Sequence, residues 1–287
     1  MKKQLEKILY IVIILVSLCI FVACAWKLIA YFSEGIKTQS AYNDLSDIVA
    51  QARPTEDPSA TTPDWNYFET IPEEEIATLP ESPYVSVTDP ETGDVTVMLP
   101  EFKDLYEINP DLVGWISIPN TNVNYPVVQR KDKQDYYLYR DFYGNQVARG
   151  CIYVREQCDV FSPSDNVVIY GHRMKDGTMF ADLSYYTSKQ YWQEHQFIQF
   201  DTLRARHTYQ IICVFRTTAT TGEGFAYHQF VDAAYDSELD DFWSSCRRNA
   251  YYDTGLEPRY GDKLITLSTC EYSLTNGRLV IVAKRIN

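Results

Sequence analysis

The sequence predicts a mainly-β body, a closed barrel or a sandwich, behind a single N-terminal transmembrane helix. Three observations carry this. Residues 8–26 contain no charged side chain. From residue 99 onward, eight short runs of apolar and β-branched residues alternate with turn signals, and helical patches are few. Between these parts lies a segment that accounts for the whole formal net charge of -13, since Asp44–Glu101 holds fourteen Asp/Glu and one basic residue, Arg53. With 287 residues, 45% hydrophobic and 23% charged, the chain has enough apolar material for a real core. The acidic balance argues against a nucleic-acid partner, which needs a basic face.

The chain divides into a cytoplasmic tail (1–7), a transmembrane signal anchor (8–31), an acidic proline-rich stalk (32–98) and the body (99–287). Ile8–Trp26 suffices to cross a hydrocarbon core of about 30 Å as a helix. Lys2, Lys3 and Lys7 precede it and keep the N-terminus cytoplasmic, so the body is extracellular. Ala23-Cys24-Ala25 resembles a signal-peptidase site, and Phe21-Val22-Ala23-Cys24 a poor lipoprotein box. The length of the apolar run and the interfacial pair Lys27 and Tyr31 favour an uncleaved anchor. Residues 33–50 read as a short helix leaving the membrane. Residues 51–100 hold eight of the thirteen prolines and most of the acid, the composition of an extended, self-repelling spacer.

The expected strands are Val113–Pro119, Val123–Val128, Gly150–Val154, Asn166–Tyr170, Phe197–Thr202, Thr208–Thr218, Lys263–Cys270 and Arg278–Ile286. Asn120-Thr121-Asn122 marks one turn, and Asn276-Gly277 lies in the loop between the last two strands. Helical patches are Met179–Tyr185, Ser188–His195 and Ser237–Ala250. In the last, Ser237 is the expected cap, and Leu239, Phe242, Trp243 and Cys246 share a face. Of the five cysteines outside the membrane run, Cys151 and Cys158 are either bridged or two buried thiols; the spacing alone fixes no geometry. Neither a CxxC pair nor an HxxxH occurs, which argues against zinc. Acidic runs such as Glu73-Glu74-Glu75 lack calcium-loop spacing.

Reactive residue types fall at strand ends. His172 follows the apolar run Asn166–Tyr170, and Cys270 ends Leu264-Ile265-Thr266-Leu267-Ser268-Thr269. Arg278 opens the next strand. If those two strands form a hairpin, Cys270 and Arg278 face each other at its open end. A free thiol is mostly protonated at neutral pH, and a neighbouring imidazole or guanidinium favours the thiolate. Thiolates attack acyl carbons, imidazole moves the protons, and a fixed cation stabilises the oxyanion. Spacing alone leaves open a buried thiol and a satisfied core histidine.

The segment Thr266-Leu267-Ser268-Thr269-Cys270, with Arg278 heading an apolar last strand, resembles the signature of sortases, class B in particular. Asp111–Ile116, Tyr125–Gln129 and Tyr170–Phe180 resemble class B segments in the same order. The resemblance covers roughly residues 100–287. It implies an eight-stranded β-barrel with short accessory helices and a membrane-anchored extracellular cysteine transpeptidase without metal or cofactor. Such enzymes cleave a C-terminal sorting signal of a secreted protein after threonine and transfer the acyl group to an amine of a peptidoglycan precursor, or in some members of a pilin. The resemblance assigns Cys270 as nucleophile, His172 as general acid/base and Arg278 to the oxyanion and the sorting peptide. Leu138, Ser268 and Tyr227 are implied substrate contacts, although Lys133-Gln134 stand where class B members often carry Asp-Asn. Glu271 either completes the site or points to solvent. His195, His207 and His228 read as structural or surface residues. Two other enzyme classes fit less well: L,D-transpeptidases need a Ser-His-Gly-Cys context, and papain-like peptidases place cysteine before histidine. The non-enzyme alternative is a stalked wall-binding β-domain.

Overall fold

The first element is a single long helix, α1 (Lys2–Ala52), so the helix expected at 33–50 continues the expected membrane segment without a break. The computed structural model describes residues 2–54, 84–88, 93–220 and 222–287, with Trp65, Pro72 and Glu75 between them. Among these, α1 is the one helix long and apolar enough to cross a membrane. The chain forms two compact units, one ending at Asn43 and the other beginning at Asp44. Much of the expected stalk, most of residues 55–83 and all of 89–92, lies outside the described residues. Its described end is a hairpin of β1 (Val85–Thr88) and β2 (Val95–Met98). Val97 and Met98 are buried, which gives this acidic segment an apolar edge.

A short helix, α2 (Lys103–Ile108), leads into the barrel. The barrel strands are β3 (Leu112–Ser117), β4 (Asn124–Val128), β5 (Ile152–Val154), β6 (Asn166–Tyr170), β7 (Phe197–Thr202), β8 (Arg206–Thr218), β9 (Leu264–Glu271) and β10 (Gly277–Arg285). They close in the order β10-β8-β7-β3-β4-β5-β6-β9. All pairs are antiparallel except β4–β5 and β6–β9. These are the eight strands expected from the sequence, with ends displaced by at most two residues. Each contributes inward side chains at alternate positions, and Ile116, Val127, Ile169, Leu267 and Val280 are completely shielded. Gly114 in β3 is required by its neighbour, because a Cβ there would lie 2.1 Å from the carbonyl oxygen of Asp201 in β7.

Helix α3 (Lys189–Glu194) is capped by Ser188, whose hydroxyl accepts from the Tyr191 amide. Helix α4 (Asp236–Asn249) packs on β8 and buries Leu239, Phe242 and Cys246; the Phe242 ring stacks on Phe230 at 4.3 Å. Its start corrects one expectation. Tyr235, not Ser237, is the N-cap residue and supplies no side-chain cap. Glu238 instead reaches back to accept from the Ala234 amide at 2.7 Å, which moves the helix start ahead of Ser237. The patch expected at 179–185 is a 3-10 helix over Ala181–Thr187. Cys151, Cys158, Cys213 and Cys246 are buried and form no disulfide, so the unbridged alternative holds for Cys151 and Cys158. Burial pushes the Cys158 thiol up to about 11 and Cys213 to about 12, keeping both protonated and inert.

Candidate active site

Strand period and register bring the three reactive residue types to one end of the barrel. Along β9 the side chains alternate, so Ser268 and Cys270 share a face. In the antiparallel pair with β10, Cys270 is the direct partner of Arg278, and opposed residues project to the same side. In the parallel pair β6–β9, Tyr170 is the partner of Ser268. The Gly171 amide donates to the Ser268 carbonyl at 3.1 Å and continues this pairing past the end of β6. Two steps beyond Tyr170 and two beyond Ser268, His172 and Cys270 reach the same level. Gly171 has to be small, because a Cβ would lie 2.5 Å from the Ile152 side chain and 2.6 Å from that of Phe180.

A cleft of 270 Å³ opens at this end, and Leu138, His172, Tyr227, Ser268, Cys270 and Arg278 all line it. Every residue singled out from the sequence as nucleophile, acid/base, cation or substrate contact therefore meets at one opening. Cys270 and His172 are half-buried, whereas Cys151, Cys158, Cys213 and Cys246 are fully enclosed.

His172 is held from two sides. Its Nε2–H donates to the carbonyl of Leu138 at 2.8 Å; a carbonyl only accepts, so Nδ1 is the ring atom left with a lone pair. The Tyr139 ring lies beside the imidazole, with centroids 5.6 Å apart. Burial lowers the His172 pKa below the usual imidazole value; the Leu138 hydrogen bond opposes this and the Arg278 charge reinforces it. The ring is thus neutral at physiological pH and able to accept a proton. Arg278 spends one arm on its own loop, Nη1 donating to the Gly277 carbonyl at 3.0 Å and the Asn276 carbonyl at 3.3 Å. That fixes the guanidinium plane beside Cys270.

Tyr227 and Ser268 are paired with each other, hydroxyl to hydroxyl at 2.6 Å. Glu271 folds back to accept from the amide and hydroxyl of Ser273, within the β9–β10 loop, and does not line the cleft. Across that loop, the Tyr272 hydroxyl donates to the Arg173 carbonyl at 2.8 Å, and the Arg173 guanidinium lies over the Tyr272 ring. The segment beside the histidine is thereby tied to the segment beside the cysteine. His195 stacks on Tyr191 and His207 bonds the Asn287 carbonyl, both structural. His228 differs from expectation in lining the cleft itself. Gln134, noted above as a departure from the class B pattern, lines it too, and so do Asp135, Arg155 and Glu156, which sequence reasoning passed over. Among the described residues, no group of three or more His, Cys, Asp or Glu could hold a metal ion.

Comparison with known proteins points to one family. A sortase domain family model matches residues 116–286. Sortase B of Staphylococcus aureus is 33% identical over 189 residues, covering 65% of this chain and 75% of that protein. Sortase B of Listeria monocytogenes is 31% identical over 188 residues, covering 65% and 74%. Among solved structures, a sortase B–substrate complex from Staphylococcus aureus superposes with a TM-score of 0.67 at 25% identity, covering 89% of this chain and 99% of that one. Sortase B from Bacillus anthracis in complex with AAEK1 superposes with a TM-score of 0.64 at 27% identity, covering 89% and 99%.

Proposed function

Since this chain belongs to the sortase family, in its class B, and is a cysteine transpeptidase by that membership, we propose that it works at the outer membrane face. In this reading the apolar part of α1 is an uncleaved single-pass anchor, and the substrate is a secreted protein bearing a C-terminal sorting signal. Cys270 passes its thiol proton to His172 Nδ1 as its Sγ attacks the carbonyl carbon of the signal's threonine, and Arg278 stabilises the oxyanion that forms. The C–N bond then breaks, the leaving amine takes a proton from His172, and a thioester to Cys270 remains. An amine of a peptidoglycan precursor next attacks the thioester carbonyl. His172 accepts the proton from that amine, the new amide forms, and the departing Cys270 sulfur takes that proton back from His172. The observation that supports this reading above others is the direct cross-strand pairing of Cys270 with Arg278 at the cleft that His172 also lines.

The test is mass spectrometry of the full chain with a library of sorting pentapeptides and candidate amines. Wild type is expected to yield an amide-linked product and to trap an acyl group on Cys270, and Cys270→Ala to yield neither. Undiminished transfer by protein whose Cys270 has been alkylated would overturn the assignment.

A further inference from the structure

The largest side chain among those fully buried is not apolar. It is Arg149, with 1% of its surface exposed. Its Nη1 donates to Thr178 Oγ1 at 2.7 Å and its Nη2 to Asp176 Oδ2 at 2.9 Å, while Nε has no partner. Burying a guanidinium with an unsatisfied N–H is costly, and the barrel already has an apolar core. The cost falls where it can hold something in place. Asp176 and Thr178 form the tip of the loop that begins at His172, and that loop is contorted: Gly177 has φ +84° and Met179, a non-glycine residue, φ +59°. A left-handed conformation at a bulky residue persists only when its surroundings dictate it. The Tyr125 hydroxyl accepts from the Met179 amide at 2.9 Å, and the Phe180 amide closes the loop onto the His172 carbonyl at 2.9 Å.

The other side of the histidine is set by the same stretch of chain. The residue after Arg149 is Gly150, where a Cβ would lie 2.4 Å from the Leu138 carbonyl oxygen, the atom that accepts from His172 Nε2. The Cys151 amide, one residue further, donates to the Tyr137 carbonyl at 3.1 Å. Arg149 thus holds the loop that carries the imidazole, while Gly150, next to it, lies against the carbonyl that orients it.

We propose that Arg149 is a positioning residue for His172, its buried fork fastening the Asp176–Thr178 tip so that the imidazole stays aimed across the cleft. The proposal rests on the acid/base role given to His172 above. The charged and titratable groups facing that imidazole are Arg278 and Cys270 from the β9–β10 hairpin and Tyr139 from the segment after Leu138, and none of them is altered in the test.

The test measures kcat, KM and the pH dependence of kcat/KM for peptide transfer by the full chain carrying Arg149→Met, Thr178→Val or Thr178→Ser. Misaiming the base is expected to lower kcat by ~10- to 100-fold with little change in KM. A loosened, better-hydrated imidazole is expected to move the acidic limb of the profile to higher pH. Thr178→Ser keeps the acceptor oxygen and is expected to restore both. If Arg149→Met does not fold, the Thr178 pair decides. Folded variants with wild-type kcat, or with a reduced kcat but an unmoved acidic limb and no rescue by serine, overturn the proposal. His172→Ala serves as the separate control: if it stays active, the acid/base assignment itself is wrong, whatever the Arg149 variants do.

Discussion

Consider removal of the Tyr227–Ser268 hydroxyl pair. The two oxygens are 2.6 Å apart, and the residues are 4% and 2% exposed, so water cannot replace either partner. Tyr227→Phe strands the Ser268 hydroxyl, and Ser268→Ala strands that of Tyr227. Each single change should therefore cost ~1–3 kcal/mol, the penalty of a buried polar group left without a partner. The double change strands nothing. It should cost about as much as one single change, leaving a coupling of roughly 1–3 kcal/mol, well above the ~0.5 kcal/mol scatter of independent sites. Urea unfolding of wild type, both singles and the double at one pH measures this directly. Costs that add within that scatter would refute the claim that the hydroxyls satisfy each other. Peptide transfer by the same four proteins tells whether Ser268 also touches substrate, because a selective rise in KM for Ser268→Ala would then accompany the stability loss.

Three further outcomes are expected. Arg278→Lys keeps the charge but must choose between the Gly277 carbonyl and the oxyanion, so kcat should fall ~10²- to 10³-fold; steady-state transfer rates check this, and wild-type rates would remove Arg278 from the oxyanion role. Burial lowers the pKa of His172 and of His228, so below the ordinary imidazole value of about 6.5 the unfolded chain binds more protons than the folded one. Stability from these groups is then intact above that pH and lost as pH falls through the window towards their lowered values; urea midpoints from pH 7.5 to 5.5 should decline, and less steeply in His172→Gln. Gly171→Ala pushes a methyl group into the side chains of Ile152 and Phe180 and should cost ~1–3 kcal/mol while displacing the neighbouring His172; an unchanged unfolding midpoint would contradict the close packing at that position.

Much of this architecture was legible because the barrel strands are written in short apolar, β-branched runs between turn residues. Strand order was not, because nothing in Asn166–Tyr170 or Leu264–Glu271 announces that the two pair in parallel across almost a hundred residues. The hairpin at Val85–Met98 was hidden by the acid around it, and only its alternating valines hinted at strands. Ser237 misled because a serine ahead of an apolar face is the commonest capping signal, while Glu238 reached back instead. At the site, Cys270 and Arg278 could be paired from the short loop between them. The Leu138 carbonyl could not be foreseen, since a backbone acceptor leaves no trace in residue type. Arg149 was passed over for the opposite reason: an arginine in a loop reads as solvated surface, and only the fold reveals it as enclosed.

The position of β10 has a temporal consequence. It pairs with β8 on one edge and β9 on the other, and it comes after every other barrel strand in chain order. A polypeptide emerging N-terminus first therefore exposes its long apolar helix, hairpin and six strands before the sulfur of Cys270 appears, and the Arg278 guanidinium arrives later still. On the roles proposed above, chains halted anywhere before residue 277 lack both the closing strand and the cation of the site, so competence for chemistry would arrive only as the barrel closes.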